Sequence, residues 1–284
     1  MKKLIYIVLG CLSYGLATAQ TDTVVYPKDF TKKLNVEYAK VDDWTGLVDI
    51  YYHPDPGTPT PIVINIHGGG WNKGNKETQK GFGSWFKNGI AVANMGYRLS
   101  QIAPAPAAIE DVRAVIAYVK YHAKELNIDP DKVIVMGGSA GGHLALMGGL
   151  LGNDKRFDKN CLPVEDMRVA AIIDKYGISI IKDWKSRSLN QWLGDNFGDH
   201  TFMNTVSPIT YVHKDNPPVF IVHGTADPTV SIEMSYELKR KLDKAKVYNE
   251  MYIVKDGLHG KFPKEENNEI SKRIIQFIKK LNII

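Results

Sequence analysis

Apolar residues along this chain occur in short runs that alternate with amphipathic stretches. Residues 34–53 alternate in the manner of a β-hairpin, and six later apolar runs predict buried strands at Ile62–Ile66, Ile90–Met95, Val133–Met136, Val169–Ile173, Val219–Val222 and Val247–Val254. Apolar residues at three- and four-residue steps predict helices at Ala107–Leu126, Ser231–Leu242 and Lys264–Leu281. This alternation predicts an α/β fold, with a mostly parallel, eight-stranded sheet covered by helices on both faces.

The length and composition of the chain are those of a globular protein. Its 284 residues suffice for a full hydrophobic core, and 44% of them are hydrophobic and 24% charged. No repeat or linker divides the chain, so we predict one α/β domain over residues 20–284. The formal net charge is +5, but lysines and arginines do not cluster with aromatic residues, so no nucleic acid partner is expected.

Residues 1–19 have the pattern of a secretory signal peptide. Two lysines precede a short apolar stretch, and Ala17-Thr18-Ala19 forms an A-x-A cleavage site. We therefore predict a secreted or periplasmic protein. The alternative is a lipoprotein box at Val8-Leu9-Gly10-Cys11, which would attach the protein to a membrane only if Cys11 is lipidated. The mature chain would keep one thiol, Cys161, and could form no internal disulfide.

One motif in the middle of the chain indicates nucleophilic catalysis. Gly137-Gly138-Ser139-Ala140-Gly141 follows the apolar run Val133–Met136, which is the order of a strand, a sharp turn and a helix in a nucleophile elbow. Glycines two residues before and after the serine are needed because a Cβ there would collide with the strained turn. Ser139 is therefore the candidate nucleophile.

A serine hydroxyl needs a base to accept its proton and an acid to orient that base. Asp227 and His259 each follow a predicted strand, in the chain order that a nucleophile elbow requires. Because carboxyl ends of parallel strands share one edge of a sheet, both side chains should reach Ser139. Asp174 also ends a strand, and it remains the alternative acid, or else a carboxylate that orders its own loop.

The glycine run in His67-Gly68-Gly69-Gly70-Trp71 indicates an oxyanion hole. Fixed backbone N–H groups stabilise the negative oxygen of a tetrahedral intermediate by about 3–4 kcal/mol per donor. We expect these donors to be the N–H groups of Gly69, Gly70 and Ala140, the last of which follows the nucleophile and begins a helix.

The remaining chemistry-bearing residues do not form a recognisable second site. His143 lies one helical turn after Ser139 and should face away from it, whereas His223 ends a core strand and should be a buried, hydrogen-bonded histidine. The histidines and carboxylates have no metal-ligand spacing, and no G-x-G-x-x-G opens a helix. We therefore expect neither a metal nor a cofactor.

Several motifs together resemble one enzyme family. They are His67–Trp71, Gly96-Tyr97-Arg98-Leu99, Ile128-Asp129-Pro130, Gly137–Ala145, Ser207–Tyr211 and His223–Asp227. Over about residues 35–281 the chain resembles the α/β-hydrolase esterases, particularly the secreted acetyl and feruloyl (xylan) esterases of Bacteroidetes near the hormone-sensitive-lipase-like group. The resemblance implies a serine carboxylic-ester hydrolase that uses Ser139, Asp227 and His259 and forms an acyl-enzyme.

The same resemblance implies an acylated plant cell-wall oligo- or polysaccharide, such as xylan, as the substrate, with acetyl or feruloyl as the acyl group. The stretch from residue 176 to residue 211 is rich in aromatic residues, which would either roof the site or pack a cap against the core. We expect Trp184 and Trp192 from this stretch, and Trp71 beside the oxyanion glycines, to contact the substrate.

Three other functions stay open. The chain could be a general small-ester esterase of lipase-like type, or a peptidase or formamidase, although the only Glu-Glu pair that would anchor a charged terminus is Glu265-Glu266 in the tail. A non-catalytic carbohydrate-binding module is the third alternative. Such modules typically lose a member of the triad, and all three candidates are present here.

Overall fold

The computed structural model describes residues 24–54, 57–182 and 184–284, so the predicted signal peptide and Cys11 lie outside the described residues. All the strands within these described ranges belong to a single sheet. The strands are β1 (Thr31–Val41), β2 (Trp44–Tyr52), β3 (Thr60–Ile66), β4 (Ala91–Met95), β5 (Ile128–Gly138), β6 (Ala171–Lys175), β7 (Val219–Gly224) and β8 (Asn249–Val254).

Helices of very different length connect the strands. They are α1 (Gly83–Phe86), α2 (Ala107–Tyr121), α3 (Ala140–Leu150), α4 (Arg187–Leu193), α5 (His200–Thr205), α6 (Glu233–Ala245) and α7 (Lys264–Lys280). The short helices α4 and α5 lie within the aromatic-rich stretch between β6 and β7. No helix in the described ranges is long and apolar enough to cross a membrane.

The strand order in the sheet is β1-β2-β4-β3-β5-β6-β7-β8. The predicted hairpin forms β1 and β2, which pair antiparallel, and β2 also runs antiparallel to β4. The strands from β4 through β3 to β8 are parallel neighbours. The predicted α/β fold with its mostly parallel eight-stranded sheet is therefore confirmed. As a consequence, the carboxyl ends of β3, β5, β6, β7 and β8 lie at one edge of the sheet.

Apolar side chains cover both faces of the sheet. On one face, alternate residues of the strands pack against α2, α3 and α6, as in the contact of Ile172 with the core that contains Leu144. On the other face, Ile173 shares a second core with Trp85 of α1 and Phe277 of α7. The period of two along each strand thus sends successive residues into different cores, which explains the near-continuous apolar runs in the sequence.

Two predicted boundaries differ from the structure at one connection. The helix predicted to reach Leu126 ends at Tyr121, and β5 begins at Ile128, five residues before the apolar run Val133–Met136. Asn127 has a φ of 50°, and the N–H of Ile128 donates to the carbonyl of Ala123, which turns the chain into the strand. Leu126 is buried by this turn, so its apolar character did not require a helix.

The core on the α7 face should contribute strongly to stability. Phe277 is fully buried, and its ring lies 5.4 Å from the ring of Phe220. Phe277→Ala should lower the free energy of unfolding by about 3–5 kcal/mol, because it removes a packed ring and leaves a cavity. Denaturant unfolding measures this loss.

The matched control is Phe197→Ala, since 54% of the surface of Phe197 is exposed. The same change there should alter stability by less than about 0.5 kcal/mol. Equal losses for the two variants would contradict the described packing.

Candidate active site

Ser139 lies at the junction of β5 and α3 in a strained backbone conformation. Its φ is 58° and its ψ is −124°, a region that residues with a side chain rarely adopt. A Cβ on Gly137 would collide with the carbonyl of Gly141, and a Cβ on Gly141 would collide with the carbonyl of Ile66. The glycines on either side of Ser139 are thus required by close backbone contacts, as the motif predicted.

The loops after β7 and β8 bring an aspartate and a histidine to this serine. The Nε2 atom of His259 lies 2.8 Å from the Oγ of Ser139, and its Nδ1 atom lies 2.7 Å from the Oδ2 of Asp227. With the Nδ1 proton donated to the carboxylate, Nε2 has a free lone pair that can accept the serine proton. The structure therefore brings the three predicted residues together in a hydrogen-bonded chain.

Asp227 is held as a carboxylate by several donors. Its Oδ1 accepts hydrogen bonds from the N–H groups of Thr229 and Val230, and its Oδ2 lies 3.2 Å from Nε2 of His223. Burial alone would raise the pKa of Asp227, but the hydrogen bonds from His223, His259 and the backbone outweigh burial and lower it. The carboxylate consequently stays ionised and keeps the imidazole of His259 in one orientation.

His223 was expected to be a buried, hydrogen-bonded histidine, and the structure places it so. It is fully buried, and its ring nitrogens lie 2.7 Å from the Oγ of Ser235 and 2.9 Å from the carbonyl of Val230. Its contact with Asp227 was not anticipated. Through this contact His223 helps to keep the carboxylate of Asp227 ionised.

Asp174 does not meet His259. Its Oδ1 accepts the N–H of Gly177 at 3.0 Å, whereas its Oδ2 is buried without a hydrogen-bond partner among the described residues. Burial raises the pKa of Asp174 to about 7, against the opposing effects of His223 and the Gly177 N–H. The structure therefore favours the interpretation of Asp174 as a carboxylate that orders its own loop over its interpretation as the acid of the triad.

The glycine loop after β3 lies against the nucleophile. A Cβ on Gly68 would lie 3.5 Å from the Cβ of Ser139, and three successive residues have a positive φ: Gly69 (116°), Gly70 (61°) and Trp71 (57°). The N–H groups of Gly69, Gly70 and Ala140 have no hydrogen-bond acceptor within the described part of the chain. Unpaired donors beside a nucleophile are what an oxyanion hole requires.

The structure corrects the expectation for two of the three tryptophans. Trp71 and Trp192 are completely buried, and their rings stack 4.4 Å apart, so neither can contact a substrate in the cleft. The positive φ of Trp71 turns its side chain away from the glycines that precede it and into the core. Trp184 does line the cleft, and its Nε1 donates to the carbonyl of Thr229.

His143 of α3 packs edge-on against the rings of both buried tryptophans and forms a hydrogen bond with one of them. The Nδ1 of His143 accepts a hydrogen bond from Nε1 of Trp71, and its Nε2 donates to the carbonyl of Val206. This pattern needs a neutral imidazole with its proton on Nε2. His143 therefore links the glycine loop to the segment that follows α5.

The cleft beside Ser139 has a volume of about 950 Å³ and is lined mainly by polar side chains. Tyr176 forms one wall, where its ring contacts that of His259 edge-on at 4.9 Å. Burial raises the pKa of Tyr176 to about 12, so its hydroxyl stays protonated. Amide side chains form another part of the cleft lining. The Nδ2 of Asn72 donates to Oε1 of Gln191, and the Nε2 of Gln101 donates to the carbonyl of Asn72.

Sequence reasoning did not single out these amides. Asn72, Gln101 and Gln191 lie in three separate segments and belong to no motif, so their convergence becomes visible only in the fold. Among the residues that the structure describes, no three histidines, cysteines or carboxylates are grouped so as to hold a metal ion. Cys161 is a free, half-buried thiol that does not line this cleft.

The sequence profile of the BD-FAE family matches residues 48–242, which include Ser139, Asp227 and the glycine loop. The chain belongs to the BD-FAE family. Among curated proteins, the esterase LipQ of Mycobacterium tuberculosis is 30% identical over 200 residues, which cover 65% of this chain and 47% of LipQ. The chain spans about half the length of the curated relatives that it matches first.

Solved structures of esterases share the fold. The acetyl ester-xyloside bifunctional hydrolase of Caldicellulosiruptor lactoaceticus is 26% identical, with a TM-score of 0.76 over 86% of this chain and 90% of that one. A truncated carbohydrate esterase from gut microbiota is 27% identical, with a TM-score of 0.75 over 90% of this chain and 97% of that one. This BD-FAE family member thus has the α/β-hydrolase fold of these esterases.

The buried imidazole beneath the glycine loop predicts a pH dependence of stability. Burial lowers the pKa of His143 from 6.5 to about 4, against the raising effect of its hydrogen bond to Val206. Below pH 6.5 the unfolded chain takes up a proton at His143 that the folded protein rejects, so stability is lost as the pH falls towards 4.

His143→Gln can keep both hydrogen bonds and removes this titration. Between pH 7 and pH 5 the wild type should lose about 2 kcal/mol of unfolding free energy relative to the variant. Denaturant unfolding at the two pH values measures the difference. The exposed His200, changed to Gln, is the control and should leave the two curves parallel. A constant difference between the wild type and His143→Gln over this range would show that the folded protein takes up a proton at His143 as readily as the unfolded chain does, which would contradict the lowered pKa.

Proposed function

We propose that this protein is a serine carboxylic-ester hydrolase that removes acetyl or feruloyl groups from acylated plant cell-wall oligo- or polysaccharides such as xylan. The observation that carries the proposal is the hydrogen-bonded chain from Ser139 through His259 to Asp227, with distances of 2.8 and 2.7 Å, at the floor of a polar cleft. This arrangement provides an activated nucleophile where a substrate as large as a sugar can reach it.

In the first half of the reaction, Oγ of Ser139 attacks the carbonyl carbon of the ester while Nε2 of His259 takes the serine proton. The carbonyl π electrons move to its oxygen, and the N–H groups of Gly69, Gly70 and Ala140 stabilise the resulting oxyanion. When the carbonyl re-forms, the bond to the alcohol oxygen breaks. His259 then donates its proton to that oxygen, and the alcohol leaves an acyl-enzyme on Ser139.

In the second half, water takes the place of the alcohol. His259 accepts a proton from the water as its oxygen attacks the acyl carbon, and the same donors stabilise the second oxyanion. The bond between the acyl carbon and Oγ of Ser139 breaks, and His259 returns the proton to Oγ. The products are a free carboxylic acid and the original serine. Asp227 remains ionised throughout and stabilises the imidazolium form of His259.

Two observations support a carbohydrate ester as the substrate. The names of two structural neighbours include acetyl ester-xyloside hydrolase and carbohydrate esterase. In addition, the cleft is rich in side-chain amides, which form hydrogen bonds with sugar hydroxyl groups. The predicted signal peptide fits this role, because a polysaccharide substrate lies outside the cell, and we propose a secreted or periplasmic location on that basis.

The proposal predicts serine-dependent release of a carboxylic acid. Protein lacking residues 1–19 should release acetate or ferulate from arabinoxylan, and Ser139→Ala should lower kcat by about a thousandfold or more. Chromatography of the released acids measures both. If a small aryl acetate is hydrolysed but no acid appears from arabinoxylan, the polysaccharide assignment falls while the esterase assignment stands.

The role of Asp227 can be tested without altering the shape of the site. Asp227→Asn should lower kcat on an aryl acetate by about 10⁴, because an amide favours the wrong tautomer of His259. Asp174→Asn is the matched control and should reduce kcat far less, since Asp174 does not contact His259. A larger loss for Asp174→Asn than for Asp227→Asn would reverse the assignment of the acid.

A further inference from the structure

Among the described residues, the lysines, arginines and carboxylates that line the cleft beside Ser139 are all of the basic kind. They are Lys73, Lys175 and Arg187, and no aspartate or glutamate of the described chain shares that lining. None of the three forms an ion pair within the described residues, although all six other arginines there do. A cleft with charges of one sign raises the local concentration of oppositely charged substrates.

Two of these cations flank the amide network. Lys73 follows Asn72 directly, and Arg187 lies four residues before Gln191, on the same face of α4. Asn72 and Gln191 are joined by a 2.7 Å hydrogen bond, so the two cations adjoin a single group of amides. The amides match sugar hydroxyl groups, and the neighbouring cations match a carboxylate on the same sugar.

The position of these residues relative to Ser139 places them within reach of the substrate. The N–H of Lys73 donates to the carbonyl of Gly69, and a Cβ on Gly70 would lie 2.9 Å from Oγ of Ser188. Lys73 and Arg187 are therefore each attached to a segment that contacts the glycine loop. A carboxylate bound between them would lie on the same molecule as the ester that reaches Ser139.

We propose that the preferred substrate is an ester carried by an acidic glycan, one that bears a uronic acid, and that Lys73 and Arg187 bind its carboxylate. This inference rests on the proposed esterase function and specifies its substrate class. Arg187 would form paired hydrogen bonds with the carboxylate, while Lys73 would act as a second positive charge. Lys175 lies next to Ser139, whose N–H donates to the Lys175 carbonyl, but burial lowers the pKa of its side chain and so disfavours its charged form. The inference therefore rests on Lys73 and Arg187.

The test compares two acetylated xylo-oligosaccharides that differ in one group. One carries a glucuronic acid substituent, and the other is the same oligosaccharide after its carboxyl group has been reduced to an alcohol. The wild type should have at least a tenfold higher kcat/KM for the acidic substrate, mainly through KM. This preference should shrink as NaCl is raised from 20 to 200 mM, because salt screens the attraction.

Variants that lack one positive charge show which residues produce the preference for the acidic substrate. Arg187→Gln and Lys73→Gln should each lower the preference for the acidic substrate several-fold, and the double variant should abolish it. Lys185→Gln is the matched control, because Lys185 is exposed on the same segment but does not line the cleft. It should keep the wild-type preference.

The outcomes separate the two proposals. If the wild type hydrolyses both oligosaccharides with equal kcat/KM, or if the preference survives in the double variant, the acidic-glycan inference is wrong and the esterase function stands. If neither oligosaccharide nor an aryl acetate is hydrolysed, the proposed function fails and the inference fails with it.

Discussion

The strained backbone at Ser139 is the constraint on which the site depends. An L residue with a φ of 58° is held there only because its surroundings leave no alternative, and the contacts of Gly137 and Gly141 with neighbouring carbonyls provide that restraint. The sheet contributes directly, because the N–H of Ser139 donates to the carbonyl of Lys175 at the end of β6. Strain in the turn is thus balanced by hydrogen bonding and packing in the strands beneath it.

The same restraint extends to the groups around the serine. The glycine loop approaches Ser139 closely because Trp71, at its end, is anchored in the core by Trp192 and His143. His259 is fixed from two sides, by the carboxylate of Asp227 and by the ring of Tyr176. Reactive groups held before a substrate arrives need little reorganisation during the reaction, which is the main source of electrostatic catalysis. The buried side chains of Trp71 and Trp192 therefore position the glycine loop although they do not line the cleft.

The features that could be predicted from the sequence are those that depend on short patterns of neighbouring residues. The strands follow from apolar runs, and Ser139, Asp227 and His259 follow from a turn motif and from the edge at which parallel strands end. Sequence reasoning misplaced Trp71, because proximity to the glycines along the chain does not reveal which way a residue with a positive φ directs its side chain. It misplaced Trp192 because an aromatic-rich stretch does not reveal which face of α4 packs against the core. It also missed Arg187 and Gln191, since the position of α4 over the cleft depends on long-range packing that no short pattern encodes.

The central claim is that the fold activates the hydroxyl of Ser139 as a nucleophile, and a fluorophosphonate probe tests it most directly. The account predicts one equivalent of covalent label, located on Ser139 by mass spectrometry of the peptides. Labelling should be much slower when His259 is replaced by Ala, because no base then accepts the serine proton. Label on another residue, or no label on folded protein, would contradict the account.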